Sequence, residues 1–191
     1  MSAIRRNKNK RGNYAFIDSQ NLNVSTQNFG WKMNWRKFRD FLSDNYGVTK
    51  AYMFIGYVPE NEDLYEKMHE AGYAVVLKPT FDMTRVQEEP SNGNGDHAKQ
   101  DKKVKGNVDA DLVLWAMREI PNYDKAVIVS GDGDFFSLVE YLIQQNKLLK
   151  VLTPTGQYSS LYHQFQEYIQ RIDEHRRQLA YYDKKPRPKN S

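Results

Sequence analysis

Tyr14-Ala-Phe-Ile-Asp18 is a short apolar run closed by a carboxylate. Consecutive apolar residues over so short a stretch read as a buried strand. Residues 19–33 after it are polar and irregular. From Asn34 to Tyr46, Trp35, Phe38, Phe41, Leu42 and Tyr46 fall on one face. That spacing predicts a helix capped by Asn34 and stopped by Gly47. Lys50 to Tyr57 predicts a second strand. Asn61 is expected to cap a short helix bearing Leu64, Met68 and Ala71, ended by Gly72. Tyr73 to Leu77 predicts a third strand, closed by Pro79.

The pattern resumes at Val108 to Glu119, a predicted helix with Leu112, Trp115 and Ala116 inward. Ala126 to Val129 reads as the fourth strand. Asp134 to Gln145 reads as a helix with Phe135, Leu138, Val139, Leu142 and Ile143 on one face. Leu149 to Leu152 reads as the fifth strand. A long last helix is expected from Ser160 to Ala180, its stripe formed by Leu161, Phe165, Tyr168, Ile169, Ile172 and Leu179. There is no internal repeat. Strands alternating with helices predict an α/β fold with a central, mainly parallel five-stranded sheet and helices on both faces. In such sheets ligands sit beyond the carboxyl ends of the strands, where the strand order reverses.

The chain of 191 residues fits one domain with a sizeable core. No apolar run approaches the ~18 residues of a membrane span. No apolar stretch follows the first cations, so a secretory leader is not expected. There is no cysteine, which excludes disulfides, thiolate zinc sites and a cysteine nucleophile. These features fit a cytoplasmic protein with no membrane partner. The net charge of +4 is divided unevenly. Residues 1–11 carry five Lys/Arg and residues 184–191 carry four, with no acid in either. The remaining 19 basic residues face 24 acidic ones, so the body is mildly acidic between basic ends. Basic ends attract phosphate backbones without reading sequence, although short basic termini are as often plain solvated tails. Residues 84–105 have no periodicity and are rich in Gly, Asn, Asp and Lys, which predicts a mobile loop inside one domain. The expected layout is a tail over 1–12, a domain over 13–180 and a tail over 181–191.

Asp18 ends the first predicted strand, and Val129-Ser-Gly-Asp-Gly-Asp-Phe135 ends the fourth, placing Asp132 and Asp134 in its exit turn. With strand order 3-2-1-4-5 the two strands are neighbours across the switch point, and the three carboxylates converge on one crevice. Asp109 starts the helix after the loop and is within reach of it. Two carboxylates ~5 Å apart repel by roughly 3 kcal/mol at an effective dielectric of ~20. Such a cluster persists if a cation neutralises it or one carboxyl stays protonated. Oxygen donors without Cys or clustered His select a hard cation, Mg2+ or Mn2+. Those ions clamp the attacking and leaving oxygens of a phosphodiester. Each residue also has a plainer role. Asp18 and Asp109 are able to cap local structure, and Asp132 and Asp134 flank glycine as turn residues do. Asp111 is expected to point elsewhere.

Other chemistries find less support. No Gly-rich loop precedes Lys-Ser/Thr, which argues against a P-loop ATPase. Ser130 has no convincing His partner for a hydrolase triad. His69, His97, His163 and His175 are scattered. Tyr181 and Tyr182, beside Arg176 and Arg177, are able to stack bases, though such residues more often pack a helix end.

Three motifs in order carry a resemblance: Asp18-Ser-Gln-Asn21, Lys105-Gly-Asn-Val-Asp109 and Val129-Ser-Gly-Asp-Gly-Asp-Phe135. Together they resemble the NYN domain of the PIN-like nuclease family, nearest its LabA-like branch, from about Asn13 to Ile172. The resemblance implies a Rossmann-like PIN fold, magnesium or manganese, and cleavage of RNA. Asp18, Asp109, Asp132 and Asp134 resemble the family's metal-site acids, with Ser130 of the same motif as a supporting residue. Asn21 resembles the asparagine that helps orient the first aspartate. Lys105 resembles the basic residue before the central acidic motif. One position departs: many relatives carry another aspartate six residues after the one matching Asp109, where this chain has Trp115.

The leading reading is an endoribonuclease with metal on Asp18, Asp109, Asp132 and Asp134. Lys99, Lys102, Lys103 and Lys105 of the loop, with Arg176 and Arg177, are expected to hold the phosphate backbone. A second reading keeps the fold and RNA binding without turnover. A third is a metal-dependent transferase using Asp132-Gly-Asp134 as a nucleotide-sugar site. RNA is the expected partner, and a homodimer is a compatible assembly.

Overall fold

The computed structural model describes residues 11–78 and 108–182. The loop expected over 84–105, with Lys99, Lys102, Lys103 and Lys105, lies outside the described residues, as do most residues of both basic ends. Six strands form one sheet: β1 (Asn13–Asp18), β2 (Val48–Gly56), β3 (Tyr73–Lys78), β4 (Ala126–Val129), β5 (Leu148–Thr153) and β6 (Ile169–Arg171). Their order is β3-β2-β1-β4-β5-β6, and every pair is parallel. The helices are α1 (Ser19–Asn28), α2 (Trp35–Tyr46), α3 (Glu62–Glu70), α4 (Asp109–Arg118), α5 (Phe136–Gln144) and α6 (Arg176–Leu179).

Alternation along the central strands builds a core on each face. Ala15, Ile17, Ala51, Met53, Val127 and Val129 face one layer, joined by Leu22 of α1, Phe38 and Leu42 of α2, and Leu179 of α6. Phe16, Tyr52, Phe54, Ala126 and Ile128 face the other, joined by Leu112 and Ala116 of α4 and Leu138, Val139 and Leu142 of α5. The continuous apolar run in Tyr14–Ile17 thus follows from burial on both faces. Asn34 caps α2 by accepting from Lys37 N–H at 3.1 Å, and Gly47 closes it at φ 61°, as the sequence predicts. Among the described residues no helix is long and apolar enough to cross a membrane.

Three expectations need correction. Residues 19–28, read as irregular, form α1, which buries only Leu22 and Thr26 and so has little apolar periodicity to reveal it. Leu64 is exposed, and α3 buries Tyr65 and Met68 instead; Asn61 makes no side-chain cap there. The long helix over 160–180 does not form. Ser160–Tyr168 is a 3-10 stretch broken at Phe165, Ile169–Arg171 is β6, and only Arg176–Leu179 is α-helical. The apolar stripe fits either period over so few residues. The edge of β5 offers unpaired backbone groups that β6 satisfies, with Ile172 N–H also donating to Thr153 O at 2.8 Å. The sheet therefore has six strands where five were expected, with the order of the first five as predicted.

Candidate functional site

The order reverses between β1 and β4, and both strands end in carboxylates there. Asp18 closes β1 and caps α1, its Oδ1 accepting from Asn21 N–H at 3.0 Å. Its Oδ2 accepts from the Ser130 hydroxyl at 3.2 Å. Ser130 also accepts from Asp132 N–H at 3.1 Å. Asn21 Oδ1 accepts from Gly131 N–H at 2.9 Å, so the side chain of Asn21 bridges to the β4 exit while its backbone holds Asp18. Asp132 Oδ1 accepts from Asp134 N–H at 3.0 Å. The two exits are thus one hydrogen-bonded unit.

Asp18, Asp109 and Asp132 line a single cavity of about 340 Å³, shared with Gln20, Asn21, Val24, Ser25, Phe54, Gly56 and Val108. Asp134 is exposed at its margin and does not line it. Burial raises the Asp18 carboxyl above its ordinary range; Asn21 N–H opposes this, and repulsion from Asp109 and then Asp132 adds to it. Burial also raises the Asp109 carboxyl, with repulsion from Asp132 and Asp134 adding and the Lys78 ammonium opposing. Asp18 therefore feels Asp109 and Asp132, and Asp109 feels Asp132 and Asp134, across this crevice. Asp111 instead pairs with Lys78 at 3.1 Å, in keeping with its expected direction away from the cavity.

The β4 exit turn is braced by residues that the sequence reading did not single out. Tyr162 is fully buried, and its hydroxyl donates to Asp132 O. Burial raises that hydroxyl above its ordinary range, and Asp132 and Asp134 add to the effect. Ser159 N–H donates to Gly131 O at 3.0 Å. A Cβ on Gly133 would meet Ser159 Oγ at 2.5 Å, so only glycine lets the turn sit so close. Reading 160–180 as one helix hid this contact. Trp115 packs on Tyr52 and Phe54 with ring centroids 5.0 Å and 6.5 Å away, under the Arg118 guanidinium at 3.9 Å. Arg176 and Arg177 lie on α6, away from the cavity lining.

Among the described residues no group of three or more His, Cys, Asp or Glu side chains is placed to hold a metal ion. The donors still fit a hydrated hard cation. Mg2+ keeps several waters and needs only one or two carboxylates, with substrate phosphates completing the shell. Burial raises the Asp18 and Asp109 carboxyls, and the repulsion that adds to it is the field such a cation relieves.

A parallel α/β sheet with acids gathered at its switch point defines a Rossmann-like class of domain. The chain matches the NYN domain over residues 14–179, and it belongs to that family. It is 26% identical over 145 residues to low amplitude and bright protein LabA of Synechococcus elongatus, covering 74% of this chain and 73% of that one. A crystal structure of a protein of unknown function from Vibrio parahaemolyticus has the same fold, with TM-score 0.62 and 20% identity over 91% of this chain and 98% of that one.

Proposed function

We propose that the domain over 13–180 is a Mg2+- or Mn2+-dependent endoribonuclease that works in the cytoplasm and hydrolyses phosphodiester bonds of RNA. The observation that carries this reading is the convergence of Asp18, Asp109 and Asp132 on one cavity at the switch point. A bound divalent cation supplies Lewis-acid stabilisation of charge on the phosphodiester oxygens and a more acidic water. Asp132 and Asp109, less enclosed than Asp18 and lining the same cavity, would hold that cation. Asp18, fixed by Asn21 N–H and the Ser130 hydroxyl, presents one carboxylate orientation to the cavity, able to hold the cation or take a proton from water. Ser130 and Asn21 keep the β1 and β4 exits in register, so their geometry is set before substrate arrives. Gln20, Val24, Phe54 and Val108 give the cavity a wall for the substrate to rest on.

The alternative is an RNA-binding protein of the same fold without turnover. Trp115 favours it, because an acid expected from the family is replaced by a ring committed to packing on Tyr52. The deciding experiment is an RNA cleavage assay with manganese, with chelator and with Asp132→Asn. Cleavage that needs metal and Asp132 supports the nuclease. Binding without cleavage supports the alternative.

A further inference from the structure

Tyr181 and Tyr182 follow α6, and the fold seats them beside the segment entering α2. Met33 and Ala180 form an isolated antiparallel bridge. Tyr181 N–H donates to Lys32 O, and Asn34 N–H donates to Leu179 O, both at 2.8 Å. The backbone is therefore fixed while the two tyrosines remain 56% and 61% exposed. Lys37 Nζ lies 5.5 Å from the centroid of the Tyr182 ring and donates to Ala180 O at 3.3 Å. Arg176 donates to Phe29 O at 3.4 Å and Gly30 O at 2.9 Å. Lys32, Lys37, Arg176 and Arg177 are all exposed, and none takes part in an ion pair among the described residues. The acids nearest in sequence do not cancel them. Asp173 and Glu174 are engaged by Arg171, which leaves Asp40 and Asp44, exposed on α2, and Asp183, which follows Tyr182 in the sequence.

This surface is set apart from the cavity. The first turn of α2 lies toward the edge where β3 begins, since Tyr73 Oη donates to Trp35 O at 2.8 Å and Arg36 donates to Glu70 O at 3.4 Å. α1 begins at Asp18 and is about 15 Å long at ~1.5 Å per residue. The chain just past its end, at Phe29 and Gly30, meets Arg176. A cavity lined by carboxylates repels phosphate, so attraction for a polyanion has to come from elsewhere on the surface. Rigid exposed rings among unpaired cations are what unstacked bases and their phosphates require.

We propose that Lys32, Lys37, Arg176, Arg177, Tyr181 and Tyr182 form a binding surface for single-stranded RNA, separate from the carboxylate cavity. The cations hold phosphates and the rings stack on bases. The proposal rests on the RNA reading above but not on turnover.

The test uses the full chain carrying Asp132→Asn, in chelator, so that nothing is cut. The probe is a labelled single-stranded oligouridylate, titrated across salt concentrations. Combined Lys32→Gln, Lys37→Gln and Arg177→Gln is expected to flatten the slope of log affinity against log salt by about 2, at ~0.7 for each phosphate no longer neutralised. Tyr182→Ala is expected to weaken binding about fivefold or more at fixed salt. Arg176 is left alone because it also tethers the carbonyls of Phe29 and Gly30. Lys32, Lys37, Arg177 and Tyr182 are exposed, and an unchanged melting temperature checks the fold. An unchanged salt slope overturns the proposal. So does an equal loss when Lys67, Arg118 and Lys150 are replaced instead, or binding to anionic lipid vesicles with none to RNA. Wild-type cleavage assays judge the nuclease reading separately: a protein that binds RNA through this surface and cuts nothing upholds the surface and removes the nuclease.

Discussion

β1 and β4 leave the sheet side by side, yet they hold their carboxylates in different ways. Asp18 is 7% exposed and accepts two hydrogen bonds, one from the first turn of α1 and one from Ser130. The β4 exit is a polar turn whose Asp132 and Asp134 are more open to solvent. It is held locally by Ser130 and braced from outside by Asn21, Ser159 and Tyr162. The first exit adds one distant bond to a local cap, whereas the second depends on three residues distant in sequence. A fixed Asp18 beside a more open Asp132 suits a cation whose shell is completed by substrate.

The largest effects should fall on the carboxylates that line the cavity. Asp18→Asn and Asp132→Asn are each expected to lower metal-dependent RNA cleavage by about 100-fold or more, beyond the 10–100-fold typical of residues that only orient a ligand. Asp134→Asn, outside the cavity lining, should cost about 10-fold by that measure. Initial rates at saturating manganese decide the matter. An Asp134 effect larger than that of Asp18 would reverse the proposed division between the two exits.

The braces come next. Ser130→Ala removes a donor to Asp18 and an acceptor for Asp132 N–H at once. It is expected to weaken manganese affinity by about 10–100-fold, read by calorimetry without RNA. Tyr162→Phe removes only the hydroxyl that holds Asp132 O. A fall near the low end of that range, about 10-fold, should accompany a stability loss of about 1 kcal/mol. Equal stability loss with unchanged manganese affinity would make Tyr162 a packing residue and nothing more.

The unequal construction of the exits explains what was legible beforehand. Asp18, Asp132 and Asp134 were readable because each stands at the end of a short apolar strand, and strand ends at a switch point are where ligands bind. The order 3-2-1-4-5, taken as a condition of that reading, holds for β1 to β5. Tyr162 was not readable: its contact with Asp132 spans 30 residues, and a 3.6 spacing over Leu161 to Leu179 suggested a helix where β5 recruits β6. α1 was hidden for a different reason. Its N-cap is the site carboxylate Asp18 itself, and most of its residues are polar and face solvent, so neither period showed.

The smallest effect separates a metal site from ordinary turn aspartates by its sign. Asp18 and Asp109 have raised carboxyls, partly through Asp132. The folded chain therefore binds more protons than the unfolded chain between the ordinary carboxylate range and the raised values. Across that window stability falls as pH rises. Asp132→Asn removes one cause of the rise, and its amide oxygen still accepts from Asp134 N–H as Asp132 does now. In chelator at neutral pH the variant should melt higher than wild type, by about 2–4 °C for each kcal/mol of repulsion relieved. Its stability should also decline less steeply across the window. Manganese should reverse the order, because a ligand that binds only the folded chain stabilises it by RT ln(1 + [L]/Kd), and the variant binds it more weakly. An aspartate serving only its turn gives the other pattern, a lower melting point in chelator and a full response to manganese. Melts of both proteins across pH, with chelator and with manganese, distinguish the two, and the second pattern would remove Asp132 from the site.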